Sequence, residues 1–377
     1  MCKLIQFASL PPLGEMYGQT YGYRTSLSEL MVNHMKKKFQ KFKNIKNNSN
    51  ILDIGSNDGT FLNFFAKKKG NINLYGIDPS SEKFKKYYNK KINLITDYFT
   101  YENFLKEVNV KNKKFNLITS FAMFYDIEDP NKFCRDIYKL LDRDGLWALE
   151  ISYFPSLLKN LTYDQICHEH VTYYTLTTFN NLIRKHNFKI VDFSFNEING
   201  GSVEIICAKR INKIKTKENK LIKYLNDEKN ITKDSYKKFN LRVENTKKNI
   251  LEILKIIGNK KDIIGYGAST KGNIVLNHCK ITSSDIRYIC DANPYKFKKF
   301  TPGSNIEIIS KKKMRKLNPK YLLVLIWSFR KEVIQQEIDY IKKGGKLIFH
   351  LPQLHIIDKK NYKIFLRSSF KPFSFDY

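Results

Sequence analysis

Ile51-Leu52-Asp53-Ile54-Gly55-Ser56-Asn57-Asp58-Gly59-Thr60-Phe61-Leu62 is the stretch on which the reading of the fold rests. An apolar run stops at glycine, crosses a turn of Ser, Asn, Asp and Gly, and re-enters an apolar helical pattern. That pattern predicts a strand feeding a helix. Glycine lets the backbone turn sharply and lets a ligand approach closely. A second apolar run, Ile72 to Ile77, ends in Asp78. An acid about twenty residues after such a turn is placed to accept hydrogen bonds from a ribose diol. The turn carries Asp58 and no basic residue. A positively charged, phosphate-free cofactor therefore suits it better than a pyrophosphate. An ordinary strand-turn-helix with no ligand stays open on the turn alone.

Working outward, strands and helices alternate: strand 51–54, helix 59–69, strand 72–77, helix 81–89, strand 92–95, helix 100–107, strand 115–119, helix 130–141 and strand 145–151. This is the rhythm of an α/β, doubly wound parallel sheet. Ligands of such sheets sit at the carboxyl ends of the strands. The segments to inspect are Gly55 to Gly59, Asp78-Pro79, Asp97-Tyr98-Phe99 and Ser120 to Tyr125. S-adenosylmethionine, a sulfonium cation without phosphate, fits the first of them. Gly55, Ser56, Asp58, Gly59 and Asp78 are its candidate ligands, with Ser120 and Ala122 at the next strand end.

Three other stretches carry chemistry. A loop after strand 145–151 contains Tyr163 and then Cys167-His168-Glu169-His170 with Tyr173-Tyr174. Histidine titrates near neutral pH, and a neighbouring carboxylate can orient it. A metal site, a structural cluster and a general base all remain open for this segment. Near the start, Tyr17, Tyr21 and Tyr23 are interspersed with glycines, ahead of a helix at about 26–43; they read either as phenols presented to a site or as packing. After a charged helical stretch at 212–257, organisation restarts with Asp262-Ile263-Ile264-Gly265-Tyr266-Gly267-Ala268-Ser269-Thr270-Lys271-Gly272. This second strand-turn-helix places Ser269, Thr270 and Lys271 where phosphate oxygens can be bound, with a plain structural turn as the alternative. Strands at 287–290, 321–326 and 346–349 complete a second α/β domain. The expected division is an N-terminal segment and helix at 1–45, a cofactor domain at 46–210, a helical linker at 211–257 and a Rossmann-like domain at 258–377.

The 377 residues carry a net charge of +31, but the lysines are spread along the whole chain. No basic helix interleaved with stacking aromatics marks a nucleic-acid surface. The charge can still attract an anionic substrate. Six cysteines occur singly, without a C-x-x-C pair, which points to a reducing, cytoplasmic setting. No apolar run reaches the roughly 18 residues of a membrane span.

Taken together, these motifs resemble the sugar C-methyltransferase family acting on nucleotide-linked keto-deoxysugars. The matching pieces are Leu52 to Thr60, Cys167-His168-Glu169-His170 with Tyr173-Tyr174, Asn199-Gly200-Gly201-Ser202, Gly265 to Gly272, Asp291 to Lys296 and Thr301-Pro302-Gly303. The resemblance implies a class I methyltransferase domain using S-adenosylmethionine and a smaller Rossmann-like domain holding the nucleotide sugar. It implies His170 as base, oriented by Glu169, with His168, Tyr21, Tyr23 or Tyr163 donating to an enolate oxygen. Ser269, Thr270 and Lys271 would face the diphosphate. Family members begin with a small zinc domain; here Cys2 stands in place of its last ligand and the other cysteines of that domain are absent, so the expectation is either no metal or a chain truncated at its N-terminus. Cys167 stands where some members have tyrosine, and Tyr125-Asp126 where some have histidine. An O- or N-methyltransferase acting on a sugar, or a nucleotide-sugar-binding protein without catalysis, would share much of this pattern.

Overall fold

The computed structural model describes residues 3–10, 16–17, 21–107 and 113–368. Cys2, singled out above, lies outside the described residues, as do the residues 11–15 and 18–20 around Tyr17.

The chain divides into two compact units, the first formed by residues 1–154, 168–196 and 202–230 and the second by 155–167, 197–201 and 231–377. Fifteen strands are labelled in chain order: β1 Ile5–Gln6, β2 Asn50–Ile54, β3 Asn73–Ile77, β4 Ile92–Ile95, β5 Phe115–Phe121, β6 Leu141–Ser152, β7 Thr172–Tyr173, β8 Phe188–Asn196, β9 Ser202–Lys209, β10 Ile263–Tyr266, β11 Tyr288–Asp291, β12 Glu307–Ser310, β13 Tyr321–Val324, β14 Lys346–Phe349 and β15 His355–Ile357.

In the first unit seven strands form one sheet in the order β4-β3-β2-β5-β6-β9-β8, all parallel except β9, which is antiparallel to both neighbours. The order reverses at β2. The glycine turn therefore sits at the topological switch point, where an open α/β sheet leaves a crevice. The central strands are buried on both faces, which is why they read as continuous apolar runs rather than alternating ones: Ile51, Leu52 and Ile54 are each at most 1% exposed. The helix Glu29–Phe42 begins at Ser28, whose side chain accepts from the Met31 amide. Met31, Met35 and Lys38 form its buried face. The helix Pro130–Leu140 starts on Asp129, which caps the Lys132 amide, with proline at the first position.

A two-stranded ribbon lies apart from this sheet. β1 pairs antiparallel with β7, Ile5 opposite Tyr173, and the Phe7 amide donates to the Val171 carbonyl at 3.1 Å. The N-terminal segment is thus fastened along the residues that follow His168-Glu169-His170.

In the second unit six strands run β12-β11-β10-β13-β14-β15, parallel except for β15. Gly267 has φ +94°, and a Cβ there would come within 2.5 Å of Ile326, so only glycine makes this turn.

Some boundaries differ from the sequence reading. The segment expected as helix 81–89 is a 3-10 helix, Ser81–Tyr87, and β6 starts four residues earlier than expected, at Leu141. β13 ends at Val324 rather than 326, and β11 covers 288–291. β12 and β15 were not anticipated: strands of four and three residues at or near a sheet edge carry too short a period to stand out from lysine-rich flanks. The bridging stretch is two helices, Glu218–Asp227 and Lys233–Ile257. Among the described residues no helix is long and apolar enough to cross a membrane.

Candidate functional site

A cavity of about 360 Å³ opens in the first unit at the carboxyl ends of β2, β3 and β5. Gly55, Ser56, Asp78 and Ala122 line it, together with Tyr21 and Tyr23. Asp78 is 8% exposed, and its position is fixed by the turn it faces. One carboxylate oxygen accepts from the Asn57 amide at 2.8 Å, the other from the Ser80 amide at 2.7 Å and the Ser80 hydroxyl at 2.6 Å. Burial raises its pKa, and those hydrogen bonds oppose the rise.

Asp58, Gly59 and Ser120 stand behind the wall. Asp58 accepts from the Ser26 amide at 2.9 Å and from the Thr60 hydroxyl at 2.6 Å. It thereby joins the N-terminal segment to the glycine turn. Gly59 caps the helix Thr60–Ala66 at φ +73°, with the Tyr88 ring where a Cβ would be. The Ser120 hydroxyl accepts from the Trp147 indole at 2.9 Å in full burial.

The lining has a charge of its own. Asp53, Asp78, Asp126, Glu128, Asp129, Asp136 and Glu150 border the cavity; Lys132 is the one lysine among the described lining residues. Lys132 is already committed to Asp136 at 2.7 Å and Glu102 at 2.8 Å. Asp53 was not singled out as a ligand from the sequence. It is 4% exposed and accepts from the Thr119 hydroxyl at 2.6 Å. Burial pushes its pKa up to about 7, the Thr119 bond lowers it in part, and Asp78 adds to the rise.

A folded-state pKa above the unfolded value of 3.8 means that the fold holds a proton the unfolded chain has released. Stability from this group is full below about pH 4 and is lost as pH rises to 7. Asp53→Asn is therefore expected to flatten the fall in melting temperature between pH 5 and pH 8, and to gain most at pH 8. Parallel curves for the two proteins would show that Asp53 ionises normally.

Glu150 forms the floor. It is 1% exposed and accepts from Lys38 at 2.7 Å, from Asn196 at 2.7 Å and from His34 at 3.0 Å. Lys38, also 1% exposed, reaches Glu204 at 3.1 Å, and Lys41 reaches Glu204 at 2.9 Å. Burial alone would raise the Glu150 pKa; the Lys38 ammonium and His34 outweigh it and hold the carboxyl well below the usual range. Residues 150 and 38 are 112 positions apart, and nothing in either local sequence signals the pairing.

His168, Glu169 and His170 do not line the cavity. His168 is exposed, while His170 is 7% exposed with its ring against Tyr125, centroids 4.5 Å apart. The Thr172 hydroxyl donates to the Tyr125 carbonyl at 3.2 Å, and the Tyr17 hydroxyl donates to the Glu169 carbonyl at 3.3 Å. Tyr17 and Asp126 both belong to the cavity wall, so the histidine segment is fastened to that wall from behind.

Tyr163 belongs to the second unit. It is buried against Cys279 with its ring on His278, centroids 5.4 Å apart. Its neighbour Asp164 is 1% exposed and accepts from the Trp327 indole at 2.8 Å; burial raises its pKa to about 6, opposed by the Lys271 ammonium. In the second glycine turn, Ser269 caps the following helix through the Gly272 amide, Thr270 is exposed, and Lys271 donates to Asn199 at 3.0 Å. Asp291 accepts from the Ala268 amide at 2.8 Å, the same acid-to-turn bond that Asp78 makes in the first unit.

Comparison with known proteins gives two matches in series. Residues 27–192 match the family model of a methyltransferase domain, and residues 197–352 match that of a C-methyltransferase C-terminal domain. Among curated proteins, the C-methyltransferase NovU of Streptomyces niveus is 28% identical over 241 residues, which is 63% of this chain and 57% of NovU. The chain thus spans somewhat over half the length of that relative. Two solved structures each resemble about half of this chain at low identity. The plantazolicin methyltransferase BpumL in complex with SAH is 18% identical, covering 48% of this chain and 83% of its own, with a TM-score of 0.36. A phosphoethanolamine N-methyltransferase of Haemonchus contortus with S-adenosylhomocysteine is 13% identical, covering 47% and 52%, with a TM-score of 0.36. The switch-point cavity and the first match define a Rossmann-like methyltransferase domain. The second match extends the resemblance to the C-terminal domain of C-methyltransferases.

Proposed function

We propose that the protein is an S-adenosylmethionine-dependent methyltransferase that C-methylates a nucleotide-linked keto-deoxysugar. One observation carries the cofactor assignment: a chain of net charge +31 builds a glycine-turn cavity whose acid and base side chains, among the described lining residues, are seven carboxylates against the single Lys132. A phosphate-bearing cofactor would be repelled there, and a sulfonium cation is stabilised. Asp78 stands at the strand end suited to a ribose diol. Tyr98 and Phe99, after β4, offer ring faces to a base.

The cofactor supplies an electrophilic methyl group on sulfur. Carbon attacks it readily only when it carries negative charge, so the substrate needs a ketone next to the target carbon. His170 is the base that takes the α-proton, and Glu169 orients it. Tyr21 or Tyr23, on the cavity wall, donates to the enolate oxygen. Both phenols stay protonated: desolvation raises the Tyr21 pKa, and the Tyr23 pKa is raised to about 12 although that residue is 44% exposed. The C-methyltransferase descriptions of the second matching domain and of NovU support carbon as the acceptor. Thr270 and Lys271, at the start of the helix Thr270–Cys279, suit a diphosphate.

The test is calorimetric titration with S-adenosylhomocysteine, then with nucleoside diphosphates in its presence. Micromolar binding of the first is expected, weakened roughly tenfold to a hundredfold by Asp78→Ala, the range for losing charge-assisted hydrogen bonds. No binding to the folded wild type would overturn the cofactor assignment. Turnover of a sugar with no keto group would move the acceptor from carbon to oxygen or nitrogen.

A further inference from the structure

The structure assigns Tyr17 a role that the tyrosine-rich sequence did not single out. We propose that Tyr17, paired with Asp126, is a positioning residue that holds the His168-Glu169-His170 turn in register with the cofactor cavity. The inference rests on the methyltransferase reading above and deepens it.

The argument is geometric. Tyr17 lines the cavity, and its hydroxyl donates to the main-chain carbonyl of Glu169 at 3.3 Å, across 152 residues of sequence. The Asp126 carboxylate bears electrostatically on the same phenol, and the Tyr17 ring stands 5.3 Å from that of Tyr21. Asp126 lines the cavity too, and it directly follows Tyr125, whose ring meets His170 and whose carbonyl accepts from Thr172. The turn that carries the histidines is thereby clasped at the Glu169 carbonyl, at the His170 ring and at the Thr172 hydroxyl. Its C-terminal continuation is zipped to β1 through Tyr173 and Thr172. Tyr17 is a clasp that passes through the cavity wall itself. Burial and the neighbouring Asp126 keep its phenol protonated, so the donor persists at any working pH.

A clasp of this kind acts on distance. A base displaced by about 1 Å can lose on the order of a hundredfold in rate while binding is untouched. Tyr17 touches neither the proton nor the methyl group; it acts through the Glu169 backbone.

Tyr17→Phe keeps the ring contact with Tyr21 and removes only the donor. Three results are expected. The Kd for S-adenosylhomocysteine stays within about threefold of wild type, because the variant removes no cofactor ligand. Amide hydrogen exchange in the peptide spanning residues 167–173 accelerates roughly fivefold to tenfold, the range for one lost hydrogen bond, while β2 and β5 keep their protection. With nucleotide-linked keto-deoxysugars as substrates, kcat falls on the order of tenfold to a hundredfold with KM unchanged. Asp126→Asn, which keeps a hydrogen-bonding side chain without the charge, is expected to leave the exchange rate of the turn nearer to wild type than Tyr17→Phe does. Unchanged exchange at 167–173 in Tyr17→Phe would overturn the proposal, as would a rise in KM at constant kcat. If wild type fails to bind S-adenosylhomocysteine, the cofactor reading falls, and the exchange arm still decides whether Tyr17 holds the turn.

Discussion

Replacing Lys38 by methionine is expected to destabilise the first unit by about 3–5 kcal/mol, the range for breaking a buried ion pair by removing one partner. For a unit of this size that is a drop of roughly 6–20 °C in melting temperature. Lys38 lies between Glu150 and Glu204, both less than 5% exposed. Without it two buried carboxylates face each other, with His34, Asn196 and Lys41 as the donors left to them. The pH dependence gives the sign. In wild type the depressed Glu150 pKa contributes stability above the unfolded value of 4.5, which is lost as pH falls below it. In Lys38→Met the carboxylates gain protons more easily, so the gap to wild type is widest at pH 7 and above and narrows towards pH 4. Lys38→Met combined with Glu204→Gln is expected to recover part of the loss. Thermal melts across that pH range check all three statements. A loss that does not change with pH would mean that lost packing, and not charge, is the cause.

His170→Ala is expected to lower turnover by a factor on the order of 10² to 10⁴, the usual contribution of a positioned general base. Affinity for S-adenosylhomocysteine should stay within about threefold, because His170 is outside the cavity lining. His168→Ala is the matched control. His168 is exposed whereas His170 is 7% exposed against Tyr125, so burial separates the two histidines of the run. Single-turnover methyl transfer, with a melting curve for each variant, separates a chemical loss from an unfolding one. Retained turnover in a folded His170→Ala would place the base elsewhere.

The two predictions differ in how far they were visible beforehand. His170 was legible because a His-Glu-His run is rare and chemically dense. Its burial and its Tyr125 partner, 45 positions away, were not. Lys38 was illegible: it is one of three consecutive lysines, Lys36-Lys37-Lys38, on an amphipathic helix, and only the helix phase turns it inward behind Met31 and Met35. Asp53 carried a weak signal as the acid inside the first strand, but its raised pKa comes from the sheet around it. Tyr163 shows the converse. It is near the histidines in sequence, yet the chain assigns 155–167 to the second unit, where Tyr163 packs on Cys279 and His278.

The sequence alone determined the parts of this protein that depend on local rules. Turns that need positive φ favour glycine, so Gly55, Gly59 and Gly267 announce themselves. Strands buried on both faces are continuous apolar runs, so the alternation of strand and helix, the two glycine turns and the acids that follow them were all readable. Tertiary structure decided which side chains meet: Lys38 with Glu150 and Glu204, Tyr17 with Glu169 and Asp126, β1 with β7. Those contacts join residues 100 or more positions apart. Their free energy comes from desolvation and close approach once the sheet has formed, and no periodicity along the chain encodes either.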